Sequence, residues 1–425
     1  MTTVDDIEPI EDFRLRARQW LAANMPKAAE GQSKWIRRVV RSDEEELARK
    51  ARCRELQRML FDGGLAGVCV PKEYDGQGLT MAHQEVLNRE IAGYDWPMET
   101  QIPTFTPCMA VVLEFGTDEQ KKRWVPPILR GEACWMQFLS EPSGGSDAAG
   151  AQTTAVRDGD EWVLNGSKIW TTGAWWADWG LCLARTNWEV PKHRGLSVFA
   201  LPIHQPGIEI HRIEMLNGSK EFCQEFITDV RIPDADRIGE VDQGWTVGVR
   251  WMYHERTVLG GSPYVTRPAG AAAEGGGART AAIAGLAGRS GQVDQKKADQ
   301  LIGESRALEL VGDSLSRRIA DQIRTGRTSD QAAAMIRLFV GTAAARQSSI
   351  GFELAGSGAV AWQDDDEDFS GAGIDYLMRQ ASCIAGGTTE MSRNVISERV
   401  LGMPRERTPD RDVAFRDVPR SAPTH

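Results

Sequence analysis

Between about residues 135 and 240 the chain changes period. Apolar and polar residues alternate there over short runs, at 152–157, 161–164, 167–172, 180–186, 195–203, 208–213 and 225–231. That is the two-residue repeat of half-buried strands. Asp158-Gly159, Asn165-Gly166 and Asn217-Gly218 lie between several of the runs, and such dipeptides favour the tight turns that join antiparallel neighbours. Asn165-Gly166 reads as a type I′ hairpin, with 161–164 going out and 167–172 coming back. The returning strand then carries Trp170 and Thr172 on one face. Strands of this length and spacing suit a small antiparallel barrel or sandwich.

On both sides of this stretch the pattern is helical. Leu47, Ala51, Leu56 and Leu60 fall near helical spacing over 44–61, and Gly63-Gly64 ends that helix. The segment GLAGVCVPKEYDGQGLT (64–80) is an apolar run closed by Pro71 and a turn at Asp75-Gly76-Gln77-Gly78. Asp118-Glu119-Gln120-Lys121 opens a short helix that carries Trp124. After Gly244, residues 245–259 are amphipathic, and the Gly/Ala/Pro-rich piece 260–278 reads as a flexible loop. Long helices are expected over 279–325 and 329–356, and the acidic run 364–368 as a solvated turn. A last helix over about 390–401 is capped by Thr388 or Thr389 and closed by Gly402 and Pro404. The tail beyond Arg405 is polar and reads as loose. The expected architecture is therefore α+β and mainly α. It has a helical domain (1–132), a central antiparallel β-barrel (133–240), a C-terminal helical bundle (241–405) and a tail (406–425).

Composition excludes several function classes. A net charge of −10 gives no electrostatic case for nucleic acid or an anionic membrane. No apolar run approaches the ~20 residues of a membrane span. The N-terminal MTTVDDIEPIEDF is acidic and lacks the apolar core of a signal peptide. The seven cysteines are scattered without a C-x-x-C, and read as reduced thiols in a cytoplasmic protein. With six His and no clustered Cys/His spacing, a metal site has no support.

The chemistry concentrates in QFLSEPSGGSDAA (137–149) and VLNGSKIWTTGA (163–174). In the first, Ser140 and Glu141 precede a glycine loop that lets backbone N–H groups approach a ligand. In the second, an indole beside hydroxyls suits the flank of a flat, polar-edged ring. By themselves these features fit a plain β-meander with a glycine loop. Together, S-E-P-x-x-G-S-D and L-N-G-x-K-x-W-x-T resemble the flavin-binding core of the acyl-CoA dehydrogenase family. The early G-x-x-x-P-x-x-Y-x-G-x-G and the late IAGGTTEMSRNVISERVLGMPRE (384–406) are similar to further motifs of that family. The match spans about residues 10–405.

The resemblance implies an N-terminal helical domain, a central β-barrel and a C-terminal four-helix bundle. It also implies FAD-dependent α,β-dehydrogenation of an acyl-CoA thioester to the trans-2-enoyl-CoA. A carboxylate takes the α-proton and the flavin N5 the β-hydride. In many members the base is a Glu just before the last Gly-Thr, and here that position is Gly386. The branched-chain (isovaleryl-CoA) and long-chain members carry it instead in an L-x-x-E-R-like segment, where this chain has Glu255. The residues agree. Trp251 and Met252 precede Glu255 by four and three positions, and Val258 and Leu259 follow by three and four, so Glu255 falls on the apolar stripe. Desolvation there should raise its pKa, as a base for a weak carbon acid requires. A buried structural Glu paired with Arg is the other reading of the same pattern. Gly386 would leave space for an acyl group bulkier than a straight chain, branched or polycyclic; a neutral relocation of the base is the other reading of the same glycine.

For the cofactor, the resemblance places Phe138, Leu139, Ser140, Trp170, Thr171, Thr172, Glu353, Gly356, Thr388 and Glu390 at FAD. It places Ser146, Tyr253, Arg256, Gly386 and Gly387 on the acyl-CoA path. Two departures stand out. The R-x-x-F-G segment, whose Arg reaches FAD in a neighbouring subunit, has no clear counterpart. The Q-x-x-G-G segment reads Glu353-Leu354-Ala355-Gly356-Ser357, with an acid facing an anionic pyrophosphate. The favoured reading is a cytoplasmic homodimer or homotetramer passing electrons to an electron-transfer flavoprotein. The alternatives are a subunit of a heteromeric dehydrogenase with incomplete flavin sites, a flavin-binding offshoot without turnover, and an oxidase returning electrons to oxygen.

Overall fold

The computed structural model describes residues 7–28, 40–260, 262–266, 268, 278–362, 366–408 and 410–419. The N-terminal part is helical: α1 (Ile10–Asn24), α2 (Asp43–Asp62), α3 (Met81–Glu90), α4 (Met98–Pro103), α5 (Ala110–Phe115) and α6 (Asp118–Leu129). Phe13, Ala17 and Leu21 recur every fourth residue along α1 and are buried against Leu56 and Leu60 of α2 and Leu87 of α3. Reciprocal side-chain caps begin α2 (Ser42 with Glu45) and α6 (Thr117 with Gln120). A π-helical segment, Thr104–Met109, joins α4 to α5 and is buried throughout.

Eight strands follow: β1 (Trp135–Phe138), β2 (Thr154–Asp158), β3 (Glu161–Thr172), β4 (Trp179–Arg185), β5 (Leu196–Pro202), β6 (Ile208–Ile213), β7 (Phe222–Pro233) and β8 (Arg237–Ile238). They form one sheet in the order β6-β7-β3-β2-β4-β5-β8, with β1 beside β4. The expected barrel is not closed. The path ends at β6 on one side and at the two-residue β8 on the other, where the chain leaves for a helix. Nor is the sheet wholly antiparallel, because β1 and β2 both run parallel to β4.

The Asn165-Gly166 hairpin is also corrected. β3 runs straight through the dipeptide, and β2 and β3 turn instead at Gly159-Asp160, with Asp158 opposite Glu161. Asn165 exchanges hydrogen bonds with Asp229 of β7, to its carboxylate (3.1 Å) and from its backbone N–H (2.9 Å). A Cβ on Gly166 would lie 2.6 Å from Thr153 Oγ1, so the glycine serves close packing inside a strand rather than a turn.

Gly244 begins α7 (Gly244–Gly260), and a Cβ there would lie 2.6 Å from the Ser197 backbone. The glycine therefore lets the helix start against β5. The expected helix over 279–325 is two, α8 (Ala278–Ser290) and α9 (Gln295–Arg324), broken at Gly291 with φ +59°. Then come α10 (Ala333–Ala355), α11 (Glu367–Met378) and α12 (Thr389–Val395), the last capped by Thr388. Ile283, Leu286, Leu301, Ile350 and Leu354 knit the bundle.

Of the expected flexible loop, residues 261, 267 and 269–277 lie outside the described residues. Its Val265 and Thr266 are buried, and the Thr266 N–H donates to Gln101 (3.2 Å). In the acidic run, 363–365 lie outside the described residues. Asp366 and Asp368 both pair with Arg289, and Asp366 caps α11, so this is an anchored helix start.

The tail is not loose. Phe415 is 3% exposed, stacks on Trp188 and lies under the Arg185 guanidinium at 3.8 Å. Its N–H donates to Val190 O (2.9 Å), and that of Arg416 to Trp188 O (3.1 Å). A single aromatic in a polar stretch is enough to dock it. Phe415→Ala is expected to undock the tail locally, with a loss of about 3 kcal/mol of anchoring. Limited proteolysis should then cut the last twenty or so residues faster while the thermal midpoint moves little. An unchanged cleavage rate would contradict this account.

Candidate active site

Three elements converge through a short chain of bonds. Trp251 on α7 is fully buried, and its indole N–H donates to Gln137 Oε1 of β1 at 2.6 Å. The Gln137 carbonyl accepts from Thr171 Oγ1 of β3 (3.2 Å), and the Ile169 N–H donates to Ser140 O (3.0 Å). Glu255 stands one helical turn beyond Trp251. The Glu255 helix and the two sheet motifs are thus tied together.

Glu255 is part-buried, and protein crowds its carboxyl. Desolvation of the charged form raises its pKa, and Arg256 pulls it down more weakly. It does not point into bulk solvent, and among the described residues it forms no ion pair, as a structural Glu would. The thiol of buried Cys108, on the π-helical segment, is raised by its own burial and then by the Glu255 charge. Opposite stands the turn Ala385-Gly386-Gly387, with φ +71° at Gly386 and +99° at Gly387. A Cβ on Gly386 would meet only Glu255 Oε1 (3.9 Å) and Arg337 Nε (4.0 Å) within 4 Å; one on Gly387 would meet Arg256 Nη2 (3.8 Å). Gly386 therefore borders open space that the carboxyl overlooks. Arg256 is exposed and makes no ion pair among the described residues. Tyr253 is engaged by Arg250, 4.4 Å from its ring.

On the sheet, Trp170 takes φ +68° at a bulge between Ile169 and Thr171 and is 51% exposed, edge-on to Phe222. A bulky residue at positive φ is costly and persists where the surroundings impose it. Thr172 is exposed beyond it, and Ser140 is part-exposed on the adjoining loop. Neither hydroxyl has a protein partner among the described residues. An outward indole between two unengaged hydroxyls fits the edge of a flat ring system such as FAD carries. Phe138 lies in the core, so only its backbone can face a ligand; Leu139 is part-buried beside it. Thr171 points inward too, its hydroxyl hydrogen-bonded to Glu225 Oε2 at 2.9 Å. Ser146 is exposed on the glycine loop.

The pyrophosphate half does not fit. Glu353 pairs with Lys297 (3.3 Å), and a Cβ on Gly356 would lie 2.2 Å from Gln292 Oε1. Gln292 accepts from the Ser357 N–H (2.9 Å) and donates to its hydroxyl (2.6 Å), so the chain's own side chain fills the turn. Thr388 is occupied as the α12 cap, and Glu390 is exposed and paired with Arg393 (3.2 Å). Neither is drawn toward Trp170 by any contact.

Beneath Trp170 lies a buried charge cluster. Lys168 donates to Glu141 (2.8 Å) and Leu183 O (2.6 Å), while Glu141 also accepts from the N–H groups of Gln152 and Thr153. Burial pushes Glu141 up, but Lys168 and these donors hold it below its usual range. Glu225 faces Lys168 across the β3–β7 ladder with its second oxygen unpartnered, and burial pushes it up to about 8. Glu225, Gln292 and Arg337 were not legible as site residues. The one signal was a charge set alone in an apolar run, as Arg337 is in AAMIRLFVG. Because Glu225 holds its proton when folded and loses it when unfolded above about pH 4.5, stability should fall as pH rises from there to about 8. Glu225→Gln is expected to abolish that fall and to be the more stable chain above pH 8, by a few kcal/mol at most. Parallel denaturation curves for the two chains across this range would refute it.

Residues 12–132 match the acyl-CoA dehydrogenase N-terminal domain, and residues 137–230 the middle domain. Acyl-CoA dehydrogenase IpdE1 of Mycobacterium tuberculosis is 31% identical over 405 residues, 94% of this chain and 99% of that protein. The Tcur3481–Tcur3483 steroid ACAD superposes with a TM-score of 0.69 at 25% identity, over 94% of this chain and 99% of that one. The ChsE4–ChsE5 complex from Mycobacterium tuberculosis gives 0.68 at 25%, over 96% and 99%. Among the described residues no helix is long and apolar enough to cross a membrane. By its domains and by full-length similarity, this chain belongs to the acyl-CoA dehydrogenase family.

Proposed function

We propose that this protein dehydrogenates an acyl-CoA thioester to the trans-2-enoyl-CoA with Glu255 as the base. The reading is carried by the position of Glu255, a desolvated carboxyl overlooking open space at Gly386 from a helix pinned to the sheet motif. A base for a weak carbon acid works best with a raised pKa in a water-poor cleft. Glu255, ionised, takes the α-proton; Trp251 and the buried π-helical segment exclude water behind it. Bound FAD would supply the acceptor for the β-hydride. Ser140, Trp170 and Thr172 would hold its ring edge, with Leu139 and the backbone of Phe138 and Thr171 alongside. Ser146, Arg256 and the Gly386-Gly387 turn would line the thioester path. An electron-transfer flavoprotein in the cytoplasm is the partner this reading implies.

The open space at Gly386 favours a branched or polycyclic acyl group, and the similar Tcur3481–Tcur3483 protein is a steroid ACAD. Glu255→Gln should keep its flavin and slow anaerobic flavin reduction by acyl-CoA about a thousand-fold. In the native chain the rate should rise with pH along a limb above the ordinary carboxylate range, because the ionised form is the base and burial raises its pKa. Bulky thioesters should reduce the flavin faster than short linear ones. Undiminished reduction in the variant would end the assignment.

A second reading concerns assembly. Gln292 and Glu353 make the Gly356 turn a poor pyrophosphate cradle, which favours a heteromeric enzyme whose other subunit supplies that half; ChsE4–ChsE5 is a complex. Purified alone, the chain is expected to carry well under one FAD per polypeptide and to gain it on pairing with a non-identical family member. A full equivalent on the isolated chain would reject this.

A further inference from the structure

Arg337 is a guanidinium without a charge partner. It lies on α10, part-buried, with Nη2 donating to Ala385 O (2.7 Å), and no carboxylate pairs with it among the described residues. Its Nε is buried and has no acceptor. Burial lowers its pKa, as does nearby Arg256, while Cys383 opposes them. A buried N–H left unmet loses hydration that is not returned, and among the described residues Arg279 and four indoles share that condition, so it is the place of Arg337 that sets it apart. It lies beside a particular place: the point where a Gly386 Cβ would stand is 4.0 Å from Arg337 Nε and 3.9 Å from Glu255 Oε1. A ligand atom in that space lies near both the Glu255 carboxyl and a part-buried guanidinium.

We propose that Arg337 Nε is a specificity donor for an oxygen carried on the acyl group, so that the substrate is an oxo-bearing acyl-CoA rather than a plain hydrocarbon one. The inference rests on reading Glu255 as the base. The same geometry selects the kind of oxygen. Glu255 must be ionised to take a proton, and a second carboxylate beside it would raise its pKa further and compete for the arginines. A neutral carbonyl accepts from Nε without that penalty. Arg337 also props the Ala385 carbonyl, so the test must separate a strut from a specificity group.

The probes are oxocyclohexylpropanoyl-CoA, cyclohexylpropanoyl-CoA and the dicarboxylic adipoyl-CoA. Each is titrated by calorimetry onto the flavin-loaded Glu255→Gln protein, together with any partner subunit it purifies with. In that protein the oxo thioester should bind more tightly than its hydrocarbon counterpart. Adding Arg337→Gln should weaken the oxo thioester about ten-fold or more and leave the hydrocarbon one within about two-fold, the discrimination one bond to a charged donor gives. Equal losses on both would make Arg337 a strut and overturn the proposal. Tightest binding of adipoyl-CoA would overturn the neutral carbonyl. If the double variant does not fold, the native chain decides: an oxo thioester with no advantage in kcat/KM sinks the idea. Turnover surviving in Glu255→Gln would end the base assignment while leaving the oxo-to-hydrocarbon ratio measurable.

Discussion

The hydrogen bond from Trp251 to Gln137 makes a helix of one layer part of a site built on another. Unlike fully buried Trp135, whose indole N–H has no partner among the described residues, Trp251 satisfies its N–H, and with a side-chain oxygen from another layer. That choice fixes how α7 is rotated about its axis against β1. Glu255 sits one turn further on, so its carboxyl inherits the rotation. On the sheet side Gln137 is itself held, by the parallel ladder to β4 and by the Thr171 hydroxyl on its carbonyl. Glu255 and the loop carrying Ser140 therefore cannot move independently without exposing an unmet polar group in the core.

Below this linkage the sheet holds charge where a plain sandwich would hold valine and leucine. Lys168 and Glu141 lie almost wholly out of water, and such a pair survives only when its remaining donors and acceptors are met. Here the Leu183 carbonyl and two backbone N–H groups meet them. The result is a stiff tie between the glycine loop and β3, next to the bulge that turns Trp170 outward. Strain at Trp170 is bearable because the ladders on either side are anchored.

What could be read beforehand was what depends on neighbours along the chain: the strand runs, the helix start at Asp118, the cap at Thr388, the turn at Gly159 and the apolar stripe that carries Glu255. What could not be read depended on distant partners. Asn165-Gly166 has the local chemistry of a turn, but Asp229 bonds the asparagine into a continuous strand and Thr153 leaves no room for a Cβ beside it. Sheet closure failed because nothing in β8 advertises that it stops after two residues. Phe415 found Trp188 and Arg185 from more than two hundred positions away. The site divided along the same line: the outward indole and its hydroxyls follow from strand geometry, whereas Gln292 filling the Gly356 turn is a contact between helices.

Moving a base from a turn to a helix changes more than its address. Many relatives, by the resemblance, carry the carboxyl where Gly386 stands, approaching the substrate from the turn. On the reading proposed above it approaches here from α7, where Glu255 Oε1 lies 3.9 Å from where a Gly386 Cβ would stand. On the reading proposed above, the proton would then leave toward α7 while the turn carries no side chain. The vacated volume is not apolar, because Arg337 borders it with an unmet N–H. On the proposed reading, a space left by a glycine and edged by a cation would select acyl groups by polarity as well as by bulk. The relocation and the selectivity then follow from one geometric change.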